Sequence, residues 1–273
     1  MAELVGAYAA CHGPLIVRMW DKLPAGVKDR LNTAFAELGQ RIRAARPDVL
    51  IVVSPDHWVN FFLDNLPAIC IGVGETHEGP PEPWLAACPY KSMRGHTAFA
   101  QHLAEYTSAN GFEPSISYKL KLDHGFCIPL WKAGLDPLPA IVPVVINTVE
   151  PPFPTPARCI EFGARIADAV RAFPGALRVA VLGTGGLSHS IGEATMGAID
   201  EAFDREFVSL LQSGTREALL QFLDQRLPIA GNGAAEVRNW LVAHGAGGEQ
   251  GFDLIHYSAM PEIYVGAGFA SWT

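Results

Sequence analysis

The chain has little cysteine, no concentrated positive charge and no long apolar run, and each shortage closes off a class of protein. Its five cysteines (Cys11, Cys70, Cys88, Cys127, Cys159) are odd in number, widely separated and never spaced C-x-x-C. That pattern argues against a disulfide framework and a cysteine-rich zinc site, and a reducing cytoplasm is the expected location. Lys and Arg total 20 against 28 Asp and Glu, a net charge of −8 with no basic run, so no nucleic-acid partner is expected. No segment reaches the roughly 18 apolar residues of a membrane span. Residues 1–15 lack a basic region followed by a long apolar stretch, so neither a signal peptide nor a membrane partner is expected.

Several catalytic signatures are incomplete. "GLSHS" (186–190) puts Ser190 where a nucleophile elbow needs its last glycine. "HEGPP" at His77 lacks the second histidine of H-E-x-x-H, and its prolines forbid the helix that motif needs. "GVGETHEG" has the wrong glycine spacing for a dinucleotide fingerprint, and no phosphate-loop lysine follows "GTGG".

What is present is a soluble, core-forming composition, 49% hydrophobic over 273 residues. Without a repeat, long linker or low-complexity block, residues 1–273 read as a single domain. A strand near Leu4–Ala9 precedes a helix over 24–46, where Val27, Leu31, Phe35, Leu38 and Ile42 recur at intervals of three and four. The apolar run "VLIVV" (49–53) follows as a strand. Strand, helix, strand in that order predicts an α/β fold with a central, mostly parallel or mixed sheet flanked by helices. Further strands are expected at "PAICIGVG", 115–120, "AIVPVVIN", "LRVAVLG" and the tail from Phe252. Helices are expected near 93–109 and 156–173, in two pieces over 199–223, and over 231–246.

The nine histidines divide by position. His12, His57 and His189 each follow a predicted strand, and His124 sits in a glycine-containing loop. Ligand sites in open α/β sheets form at the carboxyl ends of strands, so these four imidazoles can converge there. Each also has a bland reading as a turn or capping residue. Two imidazoles and a carboxylate leave open positions on a metal and suit Fe(II) or zinc alike. His77, His96, His102, His244 and His256 read as structural, with His244 a helix-end cation. Asp56 is a candidate to orient His57, and Asp123 to hold His124. Trp58, Phe61 and Phe126 could be pocket or core.

The segments "CHGPL", "SPDHWVNFF", "KLDHGFCIPL", "LGTGGLSHS" and "AAEVRNWLVA", in this order, resemble those of the class III extradiol ring-cleaving dioxygenases, the LigB-like superfamily. "PEIYVGAGFAS" is similar to that family's C-terminal segment, so the likeness spans nearly the whole chain. The motifs are closest to the 2,3-dihydroxyphenylpropionate-type enzymes and the protocatechuate-type catalytic subunits. The resemblance implies Fe(II) held by His12, His57 and Glu236, with His189 as acid–base and His124 as companion substrate-site histidine. It implies an aromatic diol, or a related aminophenol, and O2 as partners, with ring cleavage outside the diol. A homo-oligomer is expected, and a small accessory subunit is the alternative because the chain is short between His189 and Glu236. Rival readings are a non-catalytic binding protein of the same fold and a zinc hydrolase. Arg18, Lys121 and Lys132 are the candidate anchors for a carboxylated substrate.

Overall fold

The computed structural model describes residues 1–272. Strand β1 (Glu3–Ala10) ends just short of His12, and a single turn, α1 (Leu15–Arg18), follows. Helix α2 (Ala25–Ala45) buries Val27, Leu31, Phe35, Leu38 and Ile42, the face its spacing dictates. Strand β2 (Val49–Ser54) is buried along its whole length. Its alternate side chains part to opposite faces: Val49, Ile51 and Val53 join one core, Leu50 and Val52 the other. A run apolar at every position is therefore a strand covered on both sides.

Next come β3 (Ile69–Gly72), β4 (Thr76–Glu78), β5 (Ser92–Arg94), α3 (Thr97–Ala109) and β6 (Ser115–Ser117). Helix α4 (His124–Lys132), β7 (Ala140–Ile146), α5 (Pro156–Ala172) and β8 (Arg178–Thr184) complete the middle of the chain. Helices α6 (Glu201–Ser213), α7 (Arg216–Arg226) and α8 (Val237–Ala246) lead to the closing hairpin, β9 (Phe252–Met260) and β10 (Val265–Trp272).

One eight-stranded sheet runs in the order β6-β3-β7-β2-β8-β1-β10-β9. Its centre, β7-β2-β8-β1, is parallel throughout, while β3 meets β7 and β10 meets β1 antiparallel. The fold is thus the expected α/β architecture with a mixed sheet. Helices α2 and α4 cover one face, and α3, α5, α6, α7 and α8 the other. Helices α5 and α8 meet backbone to backbone: a Cβ on Gly163 would lie 2.1 Å from Val242 O, and one on Gly245 2.0 Å from Ile160 O. No helix among the described residues is long and apolar enough to cross a membrane.

Local differences from the sequence reading have local causes. The helix expected from Met93 begins at Thr97, because the His96 ring caps it by accepting the Phe99 N–H at 3.2 Å. Met93 instead belongs to the small β4–β5 ribbon. His124 does not lie in a loop; it is the first residue of α4, capped by Asp123. The glycine-rich entry to the last helix is a 3-10 turn, Asn232–Glu236, on which α8 continues.

Candidate metal centre

The parallel strands β1, β2 and β8 lie side by side, and each points its C-terminal end at the same place. His12 follows β1, His57 follows β2, and the turn to His189 follows β8. Glu236 enters from the start of α8. Its Oε1 lies 3.2 Å from His12 Nε2 and 3.5 Å from His57 Nε2. Its Oε2 accepts the Gly186 N–H at 2.7 Å and stands 3.9 Å from His189 Nε2. His124 closes the group, its ring 4.0 Å from that of His57 and 5.6 Å from that of His12. All five residues predicted for the site therefore come together.

The outer nitrogens of these rings are tied off. In tautomers that leave Nε2 free, His12 Nδ1–H donates to Thr184 Oγ1 and His57 Nδ1–H to Asp123 Oδ2, both at 3.1 Å. Asp123 Oδ2 also accepts the His57 backbone N–H at 2.7 Å. His124 Nδ1–H donates to Glu82 Oε1 at 2.7 Å, and His189 Nδ1–H to Leu187 O at 2.8 Å. Because a carbonyl only accepts, His189 Nδ1 carries a proton, and the Nε2 edge of the ring faces the cleft. Such carbonyl and carboxylate partners are what fix the tautomer of histidines that bind metals or move protons.

Electrostatics follow the same plan. Burial disfavours a charged His57, but Asp123 and Glu236 outweigh it and push its pKa up to about 10. Burial likewise opposes charge on Glu236, yet His12, His57 and His189 hold it well below the usual carboxylate range. Asp123 is also held low, burial being overcome by His57. His124 is pushed down, by burial and then by the charge on His57. A buried carboxylate facing two imidazoles is a site that favours a cation between them.

The donor set fits a divalent metal. Ligands held at about 2.1 Å stand roughly 3.0–3.4 Å apart at right-angle or tetrahedral positions. Of the separations around Glu236 Oε1, 3.2 Å falls within that spacing and 3.5 Å just above it. The donor atoms of His12, His57 and His124 lie within 4.8 Å of one another. A cleft of about 440 Å³ opens above the group, walled by Trp58, Val149, Ile263 and Tyr264 among others. A larger hollow of about 790 Å³ sits at the other end of the strands, lined by Pro47, Asp48, Pro139 and Leu177, with none of these five residues.

Residues 6–269 match the family described as the catalytic LigB subunit of aromatic ring-opening dioxygenase. The chain belongs to that family. Within it, the chain is 28% identical to 2,3-dihydroxyphenylpropionate/2,3-dihydroxicinnamic acid 1,2-dioxygenase of Escherichia coli K12, over 97% of this chain and 98% of the relative. The protein of that name from Escherichia coli O139:H28 matches equally. Among solved structures, an uncharacterised Escherichia coli K12 protein aligns with a TM-score of 0.59 at 17% identity, covering 89% of this chain and 92% of its own. That last likeness is one of fold. This LigB-family protein is thus an aromatic ring-opening dioxygenase by family.

Two supporting roles differ from the sequence reading. Asp56 does not touch the His57 ring; it accepts the N–H groups of Val59, Asn60 and Phe61 and so shapes its own loop. Asp123 serves His57 instead, and Glu82, which the sequence did not single out, serves His124. No spacing rule ties Glu82 to a histidine 42 positions away. Of the aromatic candidates, Trp58 lines the cleft, whereas Phe126 is fully buried core. His244 is not a helix-end cation: burial pushes its pKa down to about 4, and its neutral Nδ1 accepts the Trp272 Nε1–H at 2.9 Å.

Proposed function

We propose that the chain, as one catalytic domain over residues 1–273, is an Fe(II)-dependent extradiol dioxygenase that opens a catecholic or related ring with O2. The observation that supports this most is the pair of Nε2 atoms, His12 and His57, meeting one oxygen of Glu236 beside a free His189 Nε2. His12, His57 and Glu236 would hold the iron. Bound there, Fe(II) would lower the pKa of a coordinated hydroxyl and supply the electron chemistry that dioxygen requires.

The protein's part is positioning and proton transfer. The apolar wall of Val149, Ile263 and Val265 admits a flat ring and excludes water from it. His189, its Nδ1–H fixed on Leu187 O, takes a ring-hydroxyl proton at Nε2 and can return it later in the reaction. An imidazole does both near neutral pH. His124, its Nδ1–H held by Glu82, offers Nε2 to the second hydroxyl. Glu236 stays ionised because the Gly186 N–H and the surrounding imidazoles favour its charge.

The test is direct. Loaded anaerobically with ferrous iron and mixed with a panel of catechols, protocatechuate, gallate and aminophenols, the protein should consume O2 and give a yellow ring-opened product. Neither colour nor oxygen uptake across the panel would sink the proposal. Turnover that persists under argon would point to a hydrolase instead.

A further inference from the structure

We propose that Arg18 is a carboxylate-binding residue of the cleft and that the ring substrate carries an acid on a short side chain. This rests on the ring-opening reading above and narrows its substrate class. The sequence offered Arg18, Lys121 and Lys132 as cations near the motifs, and the structure separates them. Lys121 points to Glu78 at 3.9 Å on the surface. Lys132 lies over the Trp20 and Trp131 rings at 4.4 and 4.8 Å, outside the cleft. Arg18 alone among the lysines and arginines of the described residues lines the cleft.

Its neighbours keep its guanidinium available. The Arg18 guanidinium has no hydrogen bond or ion pair to any described residue, the residue's bond to Pro14 O being made by its backbone N–H, whereas Arg41, Arg178 and Arg216 are each bound to carboxylates. It rests on the Trp84 ring, 5.7 Å from its centre, and Trp84 in turn lies 5.6 Å from the His124 ring. One indole thus separates the guanidinium from the histidine group. Stacking on an aromatic face limits the freedom of an arginine while leaving its planar fork open to a carboxylate. The one carboxylate that lines the cleft, Glu236, is engaged with His12, His57 and Gly186. With a net charge of −8, the protein repels anions at large, so an acidic substrate needs a local cation. A ring whose hydroxyls face the histidines can extend an acidic side chain along the cleft to Arg18.

The experiment compares an acid with its neutral ester. Probes are 3-(2,3-dihydroxyphenyl)propionate and its methyl ester, assayed with the iron-loaded enzyme. The wild type should favour the acid. In Arg18→Ala the acid-to-ester ratio of kcat/KM should fall about 10- to 100-fold, the loss expected for a charge-assisted hydrogen bond. Arg18→Lys should recover part of it. A ratio unchanged in Arg18→Ala, or a wild type that does not favour the acid, overturns the proposal. Calorimetric binding of 3-phenylpropionate, which cannot react, separates this from the ring-opening reading. If no diol is turned over, that reading fails, and Arg18 is judged by this binding alone. Binding at least tenfold weaker in Arg18→Ala supports it, and equal binding overturns it.

Discussion

Glu82 Oε1 takes two hydrogen bonds from His124, one from the backbone N–H at 2.9 Å and one from Nδ1 at 2.7 Å. A single carboxylate oxygen thus fixes both the start of α4 and the tautomer of the imidazole it carries. Glu82 itself comes from a loop rich in proline, just ahead of Trp84. Glu82→Ala should leave bound iron unchanged, since Glu82 does not reach His12, His57 or Glu236. Turnover should fall about 10- to 100-fold, as is usual when an orienting partner is removed. Metal analysis beside steady-state rates checks this, and full activity would refute it.

The opposite split is expected at Asp123. Asp123→Asn keeps the size but weakens the acceptor for the His57 backbone N–H and Nδ1–H and for the Gly125 N–H at the start of α4. Metal affinity should drop about 10- to 100-fold. Competition with a coloured chelator measures that drop.

Gly233 sits against the His189 ring. A Cβ there would lie 2.1 Å from His189 Nε2, so Gly233→Ala must displace the ring or the turn. The expected outcome is a protein that binds iron and folds but loses most of its turnover. Normal rates in Gly233→Ala would show that His189 Nε2 takes no part in proton transfer.

Acid should destabilise the fold through histidines remote from the cleft. Burial pushes His77 and His244 down to about 4, against an ordinary value of 6.5. Below pH 6.5 the unfolded chain takes up these protons while the folded chain does not. Their stabilising contribution is therefore whole above pH 6.5 and is lost as the pH falls toward 4. His244→Gln can still accept the Trp272 N–H without titrating. Urea unfolding should show its acid-induced loss between pH 6.5 and 4.5 to be smaller than wild type by about 2 kcal/mol. An equal loss in both proteins would refute the assignment.

Much of the architecture was legible because each apolar run and each three-four spacing reports burial directly: β2 and α2 appear where their residues demand. The meeting of His12, His57, His124, His189 and Glu236 was legible through their motifs. Their supporting residues were not. Asp56 adjoins His57 in sequence, yet the backbone after β2 curls so that Asp56 caps its own turn while Asp123, 66 positions away, reaches the ring. Sequence adjacency is a poor guide to hydrogen bonding once a loop turns. Glu82 and Trp84 gave no pattern at all, since short loop segments carry no periodicity. The choice among Arg18, Lys121 and Lys132 needed the cleft itself.

Glu236 and His12 stand 224 positions apart. An ion gripped by both would cross-link the two ends of the polypeptide, so its affinity is added to the free energy of folding. Loss of iron would then loosen the whole molecule as well as silence it, and the filled centre would be a seal that closes only when the last helix has docked.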